Sequence, residues 1–291
     1  MRRRRPGVFA WLPPMVPTFL LLGLFFIGPI LWAAYTAFTN AALSGPAARD
    51  PEFVGWENFR RALHDPNLAN AVWLTVLFTF GSAVIGQNCL GMLLAVLMQR
   101  RNQVIRAIVG MLVVAAWVLP EIVAAFALYA FLSGDGTLNA VLTTLGMEGQ
   151  NWLFTAPMLA IILGNVWRGT AFSMLIYQAA LSDVDVELLE AAQVDGAGPL
   201  RRFWHVVLPI VRRTVMTNLM LITLQTIGVF TLIYVLTSGG PGTASQTLPL
   251  LMYDRAFEFG EIAYGTAIAF VLLGVGALFS AIYARALRAE V

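Results

Sequence analysis

The chain has 291 residues, 59% hydrophobic and 12% charged, with a formal net charge of +2 and a mean hydropathy of +0.76. Soluble domains carry about a quarter charged residues, so this composition excludes an ordinary soluble protein and indicates a polytopic membrane protein. All 18 basic residues are arginine, which excludes a Walker A loop, because that loop needs a lysine on the β- and γ-phosphates.

A hydrocarbon core about 30 Å thick requires roughly 20 apolar residues of helix. Six stretches reach that length, at 16–38, 71–98, 107–132, 152–181, 214–236 and 262–284. The predicted fold is all-α, a single transmembrane domain over 1–291 with six transmembrane helices. The first stretch follows Arg2 to Arg5, as the apolar region of a signal peptide would. It is too long for that role, and Pro29 and Trp32 do not form a small-residue cleavage site, so it is read as a retained helix. In the second stretch Cys89 is read as a small packing residue. Gly81, Gly86 and Gly91 recur there at a spacing of five, which does not fit a G-x-x-x-G dimer face.

The third and fourth stretches each hold one charge, Glu121 just after Pro120, and Arg168. Intramembrane charges are costly and face a cavity or a partner. Their similar depth on consecutive antiparallel helices predicts a structural ion pair between Glu121 and Arg168. The alternative is that one of them, with Asn165, Trp167, Gln225 or Tyr234, contacts a ligand.

The segment 182–209 reads as helix, sharp turn, helix. Ser182 or Asp183 can cap the start, and Asp183, Asp185 and Glu187 put negative charge on the first turn. Leu188, Ala191, Ala192 and Asp195 form one stripe whose small centre lets a partner's backbone approach. Glu190 lies off that stripe, to pair with a partner's Arg or to be solvated. Gly196 suits the left-handed residue that ends a helix, and Pro199 the first turn of the next. Such a helix either docks a partner or packs on its own domain.

Arg2 to Arg5, Arg100, Arg101, Arg106, Arg201, Arg202, Arg212, Arg213, Arg285 and Arg288 fall on one side of the predicted spans, and Arg49, Arg60, Arg61 and Arg255 on the other. Positive flanks collect in the cytoplasm, which puts both termini and 182–209 inside. His64, His205 and Cys89 have no companions at metal-ligand spacing. No metal site, catalytic constellation or nucleic-acid partner is expected.

Glu190-Ala191-Ala192-Gln193-Val194-Asp195-Gly196-Ala197, with Phe203 and Leu208-Pro209, resembles the EAA motif of membrane subunits in binding-protein-dependent ABC importers. Sugar-type members (maltose or glycerol-3-phosphate) follow EAA-x-x-DGA-x5-F-x-x-I-x-LP, and only the Ile differs here, being Val206. Phe53-Val54-Gly55-Trp56-Glu57-Asn58-Phe59 resembles the family's F-V-G-x-x-N-[FY] stretch. Ser238-Gly239-Gly240-Pro241-Gly242, with Thr247-Leu248-Pro249 and Tyr253, is similar to its loop before the last span.

The resemblance implies a type I importer permease fold in the cell (inner or plasma) membrane. It makes 182–209 a coupling segment in which Glu190, Ala191, Ala192, Asp195, Gly196 and Ala197 meet an ATPase. ATP and Mg would sit on that partner, with no cofactor on this chain. The implied partners are a second permease, two ATP-binding subunits, a solute-binding protein facing the external loops, and the lipid bilayer. Glu121, Asn165, Trp167, Arg168, Gln225 and Tyr234 are then candidates for the substrate path. Di- or oligosaccharides lead as substrates, and glycerol phosphates or polyols follow. A phosphate favours a basic cavity, and Arg168 is the only basic residue within a span, which tilts the reading towards neutral sugar. Rival readings are an ion-coupled secondary carrier with Glu121 as proton site, against which six spans without visible inverted repeats argue, and a non-transporting scaffold for the ATPase, which leaves the polar intramembrane residues unexplained.

Overall fold

The computed structural model describes residues 12–99 and 101–288; Arg2 to Arg5 and Arg100 lie outside these. Among the described residues, helices dominate, and the only extended pairing is an isolated bridge between Thr39 and Phe53. The helices used below are α1 (Met15–Ala37), α2 (Glu57–His64), α3 (Pro66–Gln99), α4 (Gln103–Val118), α5 (Glu121–Leu132), α6 (Pro157–Ser182), α7 (Val186–Val194), α8 (Pro199–Ile227), α9 (Thr231–Thr237) and α10 (Ile262–Arg288). Among the described residues, six helices are long and apolar enough to cross a membrane: α1, α3, Glu121–Thr144, α6, α8, and Ile262–Leu287 within α10.

Three predicted spans are interrupted. The stretch 152–181 is a short helix, Trp152–Thr155, followed after the non-helical Ala156 by α6, which starts at Pro157. The stretch 107–132 is two helices, because Pro120 has no N–H and disfavours α geometry at Leu119, which turns to an extended ψ of 135°. The stretch 214–236 does not begin at 214. Its helix runs unbroken from Pro199 to Ile227, stops at Gly228, and resumes as α9. Pro29 and Pro209 each follow a wide π turn, Gly23–Ile27 and Phe203–Val207, which accommodates a residue that cannot donate to the regular ladder.

The chain contacts divide into two units. The first comprises residues up to Asp65 together with Met252–Phe270. Here the 53–59 stretch does structural work. Gly55 takes a left-handed φ of +61°, and buried Asn58 donates through Nδ2 to the carbonyls of Ala37 (2.9 Å) and Thr39 (2.7 Å), closing the end of α1. Phe38 packs against Phe53, Trp56 and Phe59. Arg61 makes a two-pronged ion pair with Glu261 (2.8 and 2.9 Å), and Asp65 accepts from Arg255 (3.2 Å) and the Tyr264 hydroxyl (2.9 Å).

The second unit comprises Pro66–Leu251 and Val271–Val291. Its apolar core joins Phe78 of α3, Ala125 of α5, Ile161 of α6, and Leu232 and Leu236 of α9. The glycines at spacing five belong to this packing. A Cβ on Gly81 would meet Ile162, one on Gly86 would meet Val166, and one on Gly91 would meet Ser173, so these glycines let α3 lie close against α6. The spacing follows from the π segment Phe80–Gln87 in α3, whose i to i+5 period aligns Gly81 with Gly86. Asn218 of α8 donates to Asn88 (2.7 Å), Ser173 (2.9 Å) and Tyr177 (3.0 Å), and the Tyr177 hydroxyl also bonds Asn88. This buried polar node ties α3, α6 and α8 together in a region where water is scarce. Cys89 is exposed and does not pack into the core.

Candidate functional site: a broken-helix cavity and a helical elbow

Within the second unit a cavity of about 60 Å³ opens where α3 carries its π segment, α4 ends and α8 ends. Irregular backbone at membrane depth is tolerated where it is buried or lines a cavity, and π segments concentrate at functional sites. Helix α6 contributes Asn165, Arg168, Gly169 and Phe172, and α8 with its following turn contributes Ile222, Gln225, Thr226 and Val229. Both sets run i, i+3, i+4, i+7, one face of a helix. Gln87 and Trp117 complete the lining.

The groups are held in place by neighbours. The Gln87 amide donates to the Asn165 carbonyl (3.0 Å), and the Asn165 amide to Ser82 Oγ (2.9 Å). A Cβ on Gly169 would stand 2.3 Å from Gln87 Oε1, so only glycine leaves room for that amide. Trp117 and Phe172 lie with ring centroids 5.9 Å apart. Arg168 Nε is buried and has no hydrogen-bond partner among the described residues.

Of the sequence candidates, Asn165, Arg168 and Gln225 converge here. Trp167 is exposed, since one helical step carries it about 100° from Arg168. Glu121 and Arg168 do not form the predicted ion pair. Glu121 begins α5, and its Oε1 accepts from the Leu232 N–H in the first turn of α9 at 3.3 Å, a placement that suits the positive end of that helix. Tyr234 lies on α9, its ring stacked on Phe230 at 5.3 Å between centroids. Gln87, Trp117, Phe172 and Thr226 escaped the sequence reading. The helical spacing around Arg168 and Gln225 signals the α6 and α8 faces, whereas Gln87 and Trp117 are brought in only by packing.

The segment between α6 and α8 is an elbow. Asp183 ends α6, and Asp185 is the cap of α7, its side chain accepting from the Glu187 N–H at 2.9 Å. Ser182 and Asp183 therefore do not cap α7. At its end the Ala197 N–H reaches the Ala192 carbonyl and the Gly196 N–H the Gln193 carbonyl, both at 3.0 Å, with Gly196 at φ +81°. This is a Schellman closure, which requires the left-handed residue. Arg202 of α8 reaches back to Gln193 Oε1 (2.8 Å) and the Leu189 carbonyl (3.4 Å), and Leu189 packs on the cluster of Ala95, Tyr177, Leu181 and Val211. One face of α7 is thus anchored. The other shows Glu190, Ala191 and Asp195 exposed, with Ala192 and Ala197 half-buried. Around it Val186 is 63%, Val194 87% and Leu200 73% exposed.

Residues 87–289 match the family described as "Binding-protein-dependent transport system inner membrane component". The chain belongs to this family. Among its relatives, the sulfoquinovosyl glycerol transport system permease SmoG of Agrobacterium fabrum is 31% identical over 280 residues, covering 95% of this chain and 89% of that protein. The trehalose/maltose permease MalF of Thermococcus litoralis is 28% identical over 274 residues, 93% of this chain and 91% of that one. A chain of a bacterial ABC transporter that imports the acidic polysaccharide alginate superposes with a TM-score of 0.81 at 20% identity, covering 96% of this chain and 95% of that chain, which establishes a shared fold. This inner-membrane component is a multi-pass transport subunit.

Proposed function

We propose that the chain forms half of the translocation path of an ATP-driven importer for a sugar or related polyhydroxylated solute, and that α7 couples it to a separate ATPase. The observation that carries this is the elbow itself. Its α7 is closed at both ends, pinned on one face and bare on the other. Both flanking helices, α6 and α8, run from the elbow to the cavity, so a push on α7 moves Arg168 and Gln225 along continuous helix. Helix α8 has 29 residues, about 40 Å at 1.5 Å per residue.

In this reading Glu190, Ala191, Ala192, Asp195, Gly196 and Ala197 face or shape the ATPase contact. ATP and Mg sit on two partner ATP-binding subunits, a homologous second permease supplies the other half of the path, and an extracytoplasmic binding protein delivers the solute. The arginine distribution supports cytoplasmic termini. Relatives named for trehalose/maltose, sulfoquinovosyl glycerol and sn-glycerol-3-phosphate support the solute class. ATP binding brings the coupling helices together and turns the cavity outward, and hydrolysis resets it.

The test is purification of the tagged chain in mild detergent from its native cell, with identification of co-purifying subunits by mass spectrometry. A second permease and an ATPase are expected. A chain that transports without any ATPase would refute the proposal and favour an ion-coupled carrier.

A further inference from the structure

We infer that the transported solute carries an anionic group, a carboxylate, sulfonate or phosphate, that pairs with Arg168 in the cavity; this rests on the importer reading above. Arginine stays protonated in proteins, and a charge held away from water without a partner is strongly unfavourable. Arg168 is half-buried, and the part of its guanidinium withdrawn from water is Nε. Among the described residues that Nε has no hydrogen-bond partner, and none of those lining the cavity is Asp or Glu. The other charge within the predicted spans, Glu121, is engaged by the Leu232 N–H instead.

The surroundings suit a charged sugar derivative. Gln87, Asn165 and Gln225 supply amides for hydroxyls, and Trp117 and Phe172 supply aromatic faces. At about 60 Å³, the cavity has room for about two waters at ~30 Å³ each. That is space for a small charged group beside the guanidinium, with the rest of the solute entering when the path opens. A planar guanidinium presents paired donors to two oxygens of such a group. Counting basic residues favoured a neutral sugar; what reverses this is that the one arginine present has no counter-charge.

The test uses the complete importer with its binding protein in nanodiscs and measures solute-stimulated ATP hydrolysis. The probes are matched pairs: glucose against glucuronate and glucose 6-sulfonate, glycerol against glycerol 3-phosphate, and maltose as a neutral control. At least one anionic probe should stimulate, and its neutral counterpart should be weaker by about tenfold or more, the weight of a charge-assisted hydrogen bond. Which anion works distinguishes carboxylate, sulfonate and phosphate. Arg168→Gln should lose that preference, and Arg168→Lys should keep part of it. Stimulation by neutral probes alone, or by no anionic probe, overturns the inference and leaves the importer reading standing. Loss of the second permease from the Arg168→Gln preparation also overturns it, because Arg168 would then pair across the permease interface. A wild-type assembly that hydrolyses no ATP at all brings down the importer reading and this inference together.

Discussion

Replacing Gly196 by alanine isolates the turn that ends α7. Nothing lies within 4 Å of a Cβ built there, and φ is +81°, so the substitution creates no clash and acts only through backbone conformation. Holding an L-residue with a Cβ in the left-handed region costs roughly 1–2 kcal/mol. That shifts the population of the closed turn by about tenfold, given ~1.4 kcal/mol per decade. Asparagine tolerates this region better, so Gly196→Asn should lose less than Gly196→Ala. The assay is retention of the ATPase subunit by the purified importer across a dilution series, with thermal unfolding of the same preparations as control. The alanine variant should release the ATPase at about tenfold higher concentration than wild type, following that conformational cost, with asparagine between them. Equal retention by wild type and alanine, or weaker retention by asparagine than by alanine, would refute the argument that a left-handed turn positions the docking face.

Two further outcomes follow from the geometry. Glu121→Gln keeps a side-chain oxygen for the Leu232 N–H, so solute uptake should persist close to wild type; abolished uptake with normal expression would restore Glu121 as a proton site. Asn58→Ala removes both bonds that close α1, at 2.9 and 2.7 Å, and leaves two carbonyls unsatisfied. The expected loss is about 1–3 kcal/mol, read as a lowered melting temperature in detergent, with ATPase retention unaffected because α7 lies in the other unit.

The helical class, the membrane environment, the elbow and its left-handed glycine were legible in the sequence. Each rests on local pattern: apolar runs long enough for a bilayer, and a glycine placed where a helix must stop. The cap of α7 lies two residues beyond Asp183 and three beyond Ser182, because Ser182, Asp183 and Asp185 all have capping chemistry and the length of α6 decides among them. The breaks at Pro120 and Gly228 carried a local signal, but an apolar run hides the point at which its helix is interrupted. Composition and motif alone thus determined that this is a multi-helix membrane subunit with a helix–turn–helix elbow, because periodicity and turn chemistry act over a few residues. Only tertiary structure decided that Glu121 serves a helix N-terminus, that Gln87 enters the space left by Gly169, and that Arg168 Nε has no partner among the described residues. Those outcomes depend on which faces of α3, α6 and α8 meet, and packing between residues far apart in the chain sets that.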